Sequence, residues 1–372
     1  MNMIKPEQSD ITLGFIPLTD SAPLIVAKEL GFFEQWGLNV TLQKQNSWAT
    51  LRDKLHAGVL DAAQMLAPMP IASALGLGSS PANVITPLVL SLNGNAITIS
   101  EALLQEVLKE NNIANITLPM AGYLLQKVID KRRNRGLPKL KFATVFPYSC
   151  HFYQLRDWLK ASKVDLDNVE MVVVPPVSMV ACLESGEIDG FCVGGPWNAK
   201  AVRAGIGMTA LTSFDIWQDS PEKVLGLLES FHQKNPNTVL LLCAALKQAC
   251  AWLESVPNRF EAARLLCQPA YLDAALDVIA PSLLGSCLTH KSLPPRSIPS
   301  YNQFSVSNNG CINQPELVRG EWLIKHMVSA GQIPPDITIP LDLVGRVFRP
   351  DIYQKMRLLI ADQAEQFYRR SG

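Results

Sequence analysis

Residues 51–66, LRDKLHAGVLDAAQML, and residues 180–194, VACLESGEIDGFCVG, follow one pattern. In each, a helix-like run reaches a glycine, Gly58 or Gly186, and then an aspartate and a short, mostly apolar stretch. A glycine behind the last periodic residue stops a helix, because it takes the left-handed conformation without a Cβ clash. The brief apolar run that follows reads as a strand buried on both faces, the kind found in parallel sheets. Asp61 and Asp189 each stand just before that strand. Two readings stay open. The motifs are two ordinary α/β units, or they belong to two lobes of one plan with a ligand cleft between them. Ligands favour domain interfaces and the carboxyl ends of parallel strands.

The alternation continues outward from these motifs. Strands are predicted at 11–15, 38–42, 62–66, 142–146, 169–174, 190–193 and 208–212. Helices are predicted at 23–30, 48–56, 69–75, 151–160, 178–183 and 197–204, and another opens at Ser100. There Glu101 suits the positive end of the helix dipole, although Leu103 lacks the acid of a capping box. This βαβ rhythm with short connections implies an α/β fold. Beyond residue 220 long helical patterns take over, at 237–255 and 257–284. The tail from Gly285 is rich in Pro, Asn and Ser, with one helix at 315–329.

A chain of 372 residues suits about two domains at ~150 residues each. Hydrophobic residues make up 48% and charged residues 18%, enough to fill real cores and too little charge for a disordered tail. Lys+Arg and Asp+Glu both number 33, and this balance lacks the basic surplus that phosphate contacts require. No direct nucleic-acid partner is expected. The one compact basic run, Lys131 to Arg135, reads as a solvated helix end before Gly136. No run reaches the ~18 apolar residues of a membrane span, so no membrane association is expected. The opening MNMIKPEQSDITLGF shows no basic, apolar and small-residue sequence of a signal peptide, and the expectation is a cytoplasmic protein. The eight cysteines form no C-x-x-C pair, and most sit in apolar segments as small hydrophobes.

Signatures of catalysis are thin. There is no dinucleotide-binding, P-loop, nucleophile-elbow or zinc-protease motif, and the five histidines lie far apart. Cys150 and His151 are neighbours whose side chains diverge on a helix or strand, so they make no nucleophile–base pair by themselves. No enzyme activity, cofactor or metal is expected. What recurs instead is polar and aromatic residues where strands give way to helices: Asn46-Ser47-Trp48, Asn93-Gly94-Asn95, Tyr148 to His151, Gly194 to Asn198 and Ser220 to Lys223. Trp48, Asn95, His151 and Lys223 are donors with few acceptors among them, and helix N-termini add more donors. Such a set suits a small anion. Each also has a plainer use: packing for Trp48, a turn for Asn95, a helix start for His151, a surface charge for Lys223.

The stretches NSWATLRDKLHAGVLDAAQMLAPMP, NGNAIT, FPYSCHFYQLRDWL, IDGFCVGGPWNAKAV and LTSFDIWQDSPEKVLG resemble the nitrate/bicarbonate-binding proteins of ABC transporters, the NrtA/CmpA-like family, over roughly residues 10–340. The resemblance implies a two-lobed α/β clamp of the type II periplasmic-binding-protein kind, with the ligand cleft between the lobes. Residues 1–94 and 216–372 would form the first lobe and residues 95–215 the second. It also implies that Trp48 is an aromatic wall, that His151 and Lys223 are side-chain donors, and that Gly194 or Gly195 supplies backbone. The family's pocket glutamine falls at Asn95, and its Gly-Glu-Pro-Trp is Gly-Gly-Pro-Trp here. A lysine at Lys223 is the nitrate pattern; bicarbonate binders use an acid and calcium near that position.

Taken with the missing signal, the chain resembles most the cytoplasmic nitrate/nitrite sensors of NasS–NasT systems. That resemblance implies a protein that, without anion, holds an RNA-binding antiterminator of the NasT type inactive. Nitrate or nitrite would release it to switch on assimilation genes. The competing expectation is a substrate-binding component of an ABC nitrate importer.

Overall fold

A computed structural model gives the structure of residues 4–371; residues 1–3 and 372, which fall in the expected first lobe, lie outside the described residues. Ten strands build two sheets. They are β1 (Asp10–Phe15), β2 (Asn39–Lys44), β3 (Ala62–Leu66), β4 (Val84–Asn93), β5 (Asn95–Ser100), β6 (Leu140–Thr144), β7 (Val169–Val173), β8 (Gly190–Gly194), β9 (Gly207–Thr212) and β10 (Pro221–Leu228). One sheet runs β4-β10-β3-β1-β2, extended beyond β4 by the two-residue strand Asn302–Gln303. The other runs β7-β6-β8-β5-β9. In each, four of these strands run one way and the crossing strand, β10 or β5, runs against them, in the same place beside the third parallel strand. The chain leaves the first sheet at Gly94 and returns to it between Thr212 and Pro221.

The two aspartate motifs do the same job in each sheet. Asp61 Oδ2 accepts the Thr12 N–H of β1 at 2.8 Å, and its own N–H donates to the Thr12 carbonyl at 3.0 Å. Asp189 Oδ2 accepts the Lys141 N–H of β6 at 2.7 Å, and its N–H returns to the Lys141 carbonyl at 2.7 Å. The third parallel strand is thereby pinned in register against the first in both sheets, which matches the one-plan reading.

Three large apolar clusters and one small one, around Ala96 and Tyr301, surround the sheets among the described residues. The helix Pro236–Trp252, apolar almost all round, packs on the first sheet with Val26, Leu90 and Leu225. The helices Glu101–Asn111 and Gln126–Asn134 cover the second through Leu103, Val107 and Val128. A third cluster joins the two halves, with Leu18, Trp48 and Met65 on one side, and Phe146, Tyr153 and Val193 on the other. The Lys131 to Arg133 run is indeed a helix end, paired with Glu110, Glu106 and Asp130. No single helix among the described residues is long and apolar enough to cross a membrane.

The structure departs from the sequence reading in several places. The helix expected over 257–284 is two, Val256–Leu266 and Leu276–Leu283, because Pro269 and Asp273, with φ of 52°, break the chain between them. The strand expected at 142–146 begins two residues earlier, at Leu140. Strands β4 and β10 carry Pro87, Pro221 and Gly226 within apolar runs, and lack the alternation that marks a half-buried strand. The tail holds two further helices, Leu343–Val347 and Pro350–Ser371.

Among the described residues, strand β4 pairs with β10 and with Asn302–Gln303 and bridges from Thr86 to Phe348, all far downstream. A fragment ending at residue 94 therefore has no partner for its longest strand. It is expected to show neither cooperative thermal unfolding nor dispersed amide resonances; a cooperatively folded 1–94 fragment would overturn this account.

Candidate functional site

The carboxyl ends of the parallel strands in both sheets face one another, and the polar residues there form a single buried cluster. Trp48 is the first residue of the helix Trp48–His56, just after β2, and Ser47 caps that helix by accepting the Thr50 N–H at 3.1 Å. His151 is the second residue of Cys150–Ala161, after β6, and Ser149 caps it in the same way through Phe152. Asn95 opens β5 directly opposite Gly194, the last residue of β8. Lys223 lies inside β10, between Leu66 of β3 and Ser91 of β4, so it is not at a strand-to-helix junction as expected from the sequence.

Five of the six sequence-predicted residues meet here. Trp48, Asn95, His151 and Lys223 are fully buried. The Lys223 ammonium sits 5.5 Å from the centre of the Trp48 ring, a cation–π contact in a desolvated place. A Cβ on Gly194 would stand 3.3 Å from Asp20 Oδ2 and 3.5 Å from Asn95 Oδ1, so Gly194 faces the cluster. Gly195 faces elsewhere: a Cβ there would press within 2.8 Å of the Thr19 and Ser282 hydroxyls.

The sequence reading anticipated few acceptors, and this is corrected: two carboxylates share the site. Lys223 Nζ pairs with Asp20 Oδ2 and Glu222 Oε1, each at 2.7 Å. Asn95 Nδ2 donates to Glu222 Oε2 at 2.6 Å and to Gln154 Oε1 at 3.1 Å. His151 Nδ1 lies 3.5 Å from Glu222 Oε1. Gln64 Nε2 holds the other oxygen of Asp20 at 2.9 Å, and Gln154 Nε2 reaches the Ser220 hydroxyl at 2.7 Å. Trp48 Nε1 and both ring nitrogens of His151 are buried with no hydrogen-bond partner among the described residues. Asn95 Oδ1 is likewise without a partner, and since an unpaired buried polar group costs about 1–3 kcal/mol, a ligand that pairs with these atoms would recover that cost.

Burial and charge set the protonation states. Burial disfavours a charged Lys223, but Asp20 and Glu222 outweigh it and hold the ammonium above its usual pKa. Burial pushes the Glu222 carboxyl up to about 7, against the pull of Lys223. His151 is driven well below its usual range by burial and by Lys223, so it is a neutral imidazole. Burial raises the Cys150 thiol well above its usual value, and Glu222 adds to this; it is no nucleophile at neutral pH. Among the described residues no group of three or more His, Cys, Asp or Glu side chains is arranged to hold a metal ion.

Sequence reasoning missed Asp20, Gln64, Gln154 and Glu222. Asp20, in TDSAP, looks like a helix cap. Glu222 and Lys223 are adjacent on a strand, where regular pleating sends neighbours to opposite faces. The β10–β4 register shifts on either side of Lys223, and this bulge re-aims the backbone so that both side chains enter the cluster. Gln64 and Gln154 carry one signal, being polar residues inside otherwise apolar elements.

The raised Glu222 pKa predicts how stability follows pH. The folded state binds this proton more tightly than the unfolded chain, whose carboxyl titrates near 4.5. Stability from this group is therefore fully present below pH 4.5 and is lost as pH rises through about 7, on the order of 3 kcal/mol in all. Urea unfolding at pH 5.5 and 8 measures it. Glu222→Gln is expected to lose most of that difference, and an equal slope in both proteins would contradict the assignment.

Residues 4–267 match the NMT1-like family. The nitrate import ATP-binding protein NrtC of Synechocystis sp. PCC 6803 is 37% identical over 351 residues, covering 93% of this chain and 50% of that protein. The chain thus spans about half the length of the curated relatives of this kind. The nitrate/nitrite binding protein NrtA of the same organism is 33% identical over 372 residues, covering 97% of this chain and 79% of that one. The crystal structure of the periplasmic nitrate-binding protein NrtA from Synechocystis PCC 6803 superposes with a TM-score of 0.86 at 27% identity, covering 97% of this chain and 92% of that chain. By fold and by sequence, this chain belongs to the NMT1-like family, in its NrtA/CmpA-like group of two-lobed, periplasmic-binding-protein-like clamps.

Proposed function

We propose that this protein binds nitrate or nitrite in the closed cleft around Lys223 and works as a cytoplasmic sensor of these anions, not as an enzyme. The observation that carries the binding reading is the set of unpartnered buried nitrogens, Trp48 Nε1 and the His151 ring, beside a buried ammonium. Nitrate is planar, with three acceptor oxygens and one diffuse negative charge. A dry site for it needs donors around its edge and a cation close by, because a buried unpaired charge is costly. The NrtA relatives, named for nitrate and nitrite binding, support this choice among small anions. Lys223 stands between two carboxylates, where a calcium-dependent bicarbonate site would need the metal.

In the sensor reading, the anion-free protein holds a NasT-like RNA-binding antiterminator, and anion binding releases it. Two facts favour such an output. A domain of this type makes up half of a protein named for ATP binding, so it serves chains other than free-standing receptors. A cluster closed off from solvent must open to admit its ligand, so occupancy and shape are linked. By that linkage an anion that closes the clamp weakens any partner of the open form by the same factor. The second reading is a substrate-binding component of an ABC nitrate importer, favoured by the TM-score of 0.86 to a periplasmic nitrate-binding protein.

Calorimetric titration with nitrate, nitrite, bicarbonate and sulfate tests the site. Trp48→Phe keeps an aromatic ring and removes the N–H, and is expected to weaken nitrate binding about fivefold, near 1 kcal/mol. His151→Ala is expected to cost about 1–3 kcal/mol. Lys223→Ala is expected to cost on the order of 2–4 kcal/mol. Binding within a factor of two of wild type in all three variants would remove the site from this cluster.

Size-exclusion chromatography of the protein co-expressed with an antiterminator of the NasT class tests the output. A complex is expected in anion-free buffer and separate peaks in millimolar nitrate or nitrite. A complex that never forms, or that survives while the anion demonstrably binds, returns the importer reading.

A further inference from the structure

The donors that an anion would use in this cluster are already turned toward a planar oxyanion of the chain itself. Lys223 Nζ and Asn95 Nδ2 reach the two oxygens of Glu222 at 2.7 and 2.6 Å, and His151 Nδ1 stands 3.5 Å from one of them. Asp20 takes the other face of the ammonium at 2.7 Å. With both acids ionised, the cluster holds two negative charges and one positive before any ligand arrives. An incoming anion would bring the buried sum to minus two, with no water to screen it.

No other titratable neighbour offsets that charge. The groups facing Glu222 are Lys223 on its own strand, Asp20 from the loop after β1, His151 and Cys150 from the helix after β6, and Cys192 from β8. Lys223 is the one cation among them. His151 is kept neutral by burial and by Lys223, and the two thiols are kept neutral by burial. The balance must come from a proton on one of the two acids. Asp20 engages only Lys223 and the Gln64 amide, whereas Glu222 occupies both Lys223 and Asn95 and faces His151, so a proton on Glu222 is the one that frees the candidate donors.

We propose that Glu222 is a proton-coupled gate of the anion site: the anion enters with one proton, which Glu222 takes up, so that its carboxyl releases Lys223 and Asn95 to the ligand. This rests on the anion-binding reading above and specifies how that site is regulated. In the protonated form, Glu222 changes from an acceptor competing with the ligand into an O–H donor beside it. The ligand is thus bound as an ion and proton pair, and the burial-raised pKa of about 7 makes the uptake responsive near neutral pH. By linkage, nitrate in turn favours the protonated carboxyl.

The test is calorimetry with nitrate from pH 6 to 9, in pairs of buffers that differ in ionisation enthalpy. For the wild type, proton uptake is expected to rise from near zero at pH 6 toward one per anion at pH 8 and above. The affinity is expected to fall up to tenfold per pH unit over the alkaline range. Glu222→Gln, neutral and nearly isosteric, is expected to bind as tightly at pH 9 as the wild type does at pH 6, with no proton uptake. Wild-type binding of equal strength at pH 6 and pH 9, without proton uptake, overturns the gate and leaves the anion site standing. A pH dependence that persists in Glu222→Gln overturns Glu222 as the carrier. If that variant does not fold, the wild-type proton count decides alone. Absence of nitrate binding at every pH, with the wild type folded, overturns the anion-binding reading and the gate with it.

Discussion

A lysine ammonium with no exposure to solvent cannot stand by itself, and much of this structure answers to that. Removing such a charge from water costs several kcal/mol even after the protein relaxes, so its counter-charges and their own partners must be in place together. Lys223 gets one carboxylate from the loop after β1 and the other from its neighbour on β10. The second is affordable only because the other sheet supplies Asn95 to its free oxygen. The pair of ions in the first sheet is therefore satisfied by a donor from the second. Separating the two halves would leave Glu222 short of a partner unless water replaced it, which makes the ion cluster an electrostatic sensor of closure.

Delivering these side chains to one point requires both sheets to aim the same way. Their parallel strands end toward the cleft, and the aspartates Asp61 and Asp189 lock the third strand to the first in each. The crossing strands then run alongside: β10 carries Glu222 and Lys223, and β5 carries Asn95. Gly94, with φ of 95°, makes the turn from β4 into β5. A Cβ there would fall 2.6 Å from the Asn302 side chain, so the tail packs against the crossing point as closely as glycine allows. Asn93 extends that contact by donating to Gln303 Oε1 at 3.0 Å and to the Ser300 carbonyl at 3.0 Å.

The scaffold was more legible in the sequence than the chemistry. The helix 48–56, the strand 62–66 and the helix 197–204 appear with the ends that their caps and glycines imply. Local signals suffice there because each element is bounded by its own residues. The donors of the site were legible for a similar reason, since Trp48 and His151 follow strands at capped helix starts. The acids were not. Asp20 resembles a cap, and Glu222 reaches the cluster only through a bulge whose cause lies in the pairing of β10 with β4, two strands far apart in the chain. Strand β10 itself hides its pattern because both faces are buried, and the tail helices gain their definition from packing on the first sheet. Such features arise between distant segments and leave little local trace.

The tail also bears on how the two halves are held together. The helix Leu317–Ser329 lies across the mouth between the two halves, and the segment after it is tied to the first sheet where Phe348 bridges to Thr86. On the other side it meets the helix after β6. Arg156 donates to the Ser329 carbonyl at 3.0 Å, Tyr153 donates to Gln332 Oε1 at 2.7 Å, and Gln332 Nε2 reaches the Pro147 carbonyl at 2.8 Å. Trp322 packs edge-on to Trp217 at 4.6 Å, with the His326 ring tilted against both. These contacts hold the halves together without touching the ion cluster, so closure has two sources of free energy. Under the proposed anion binding, the ligand supplies one, through the donors around Lys223, and the seam formed by the tail supplies the other whether or not ligand is bound. A seam that favours closure raises apparent affinity by raising the fraction of binding-competent protein, and it lowers by the same amount what the anion can contribute to a change of shape. In the proposed anion-binding role, the sensitivity of the clamp is therefore set jointly by Lys223 with its acids and by an aromatic and amide seam on the far side of Tyr153.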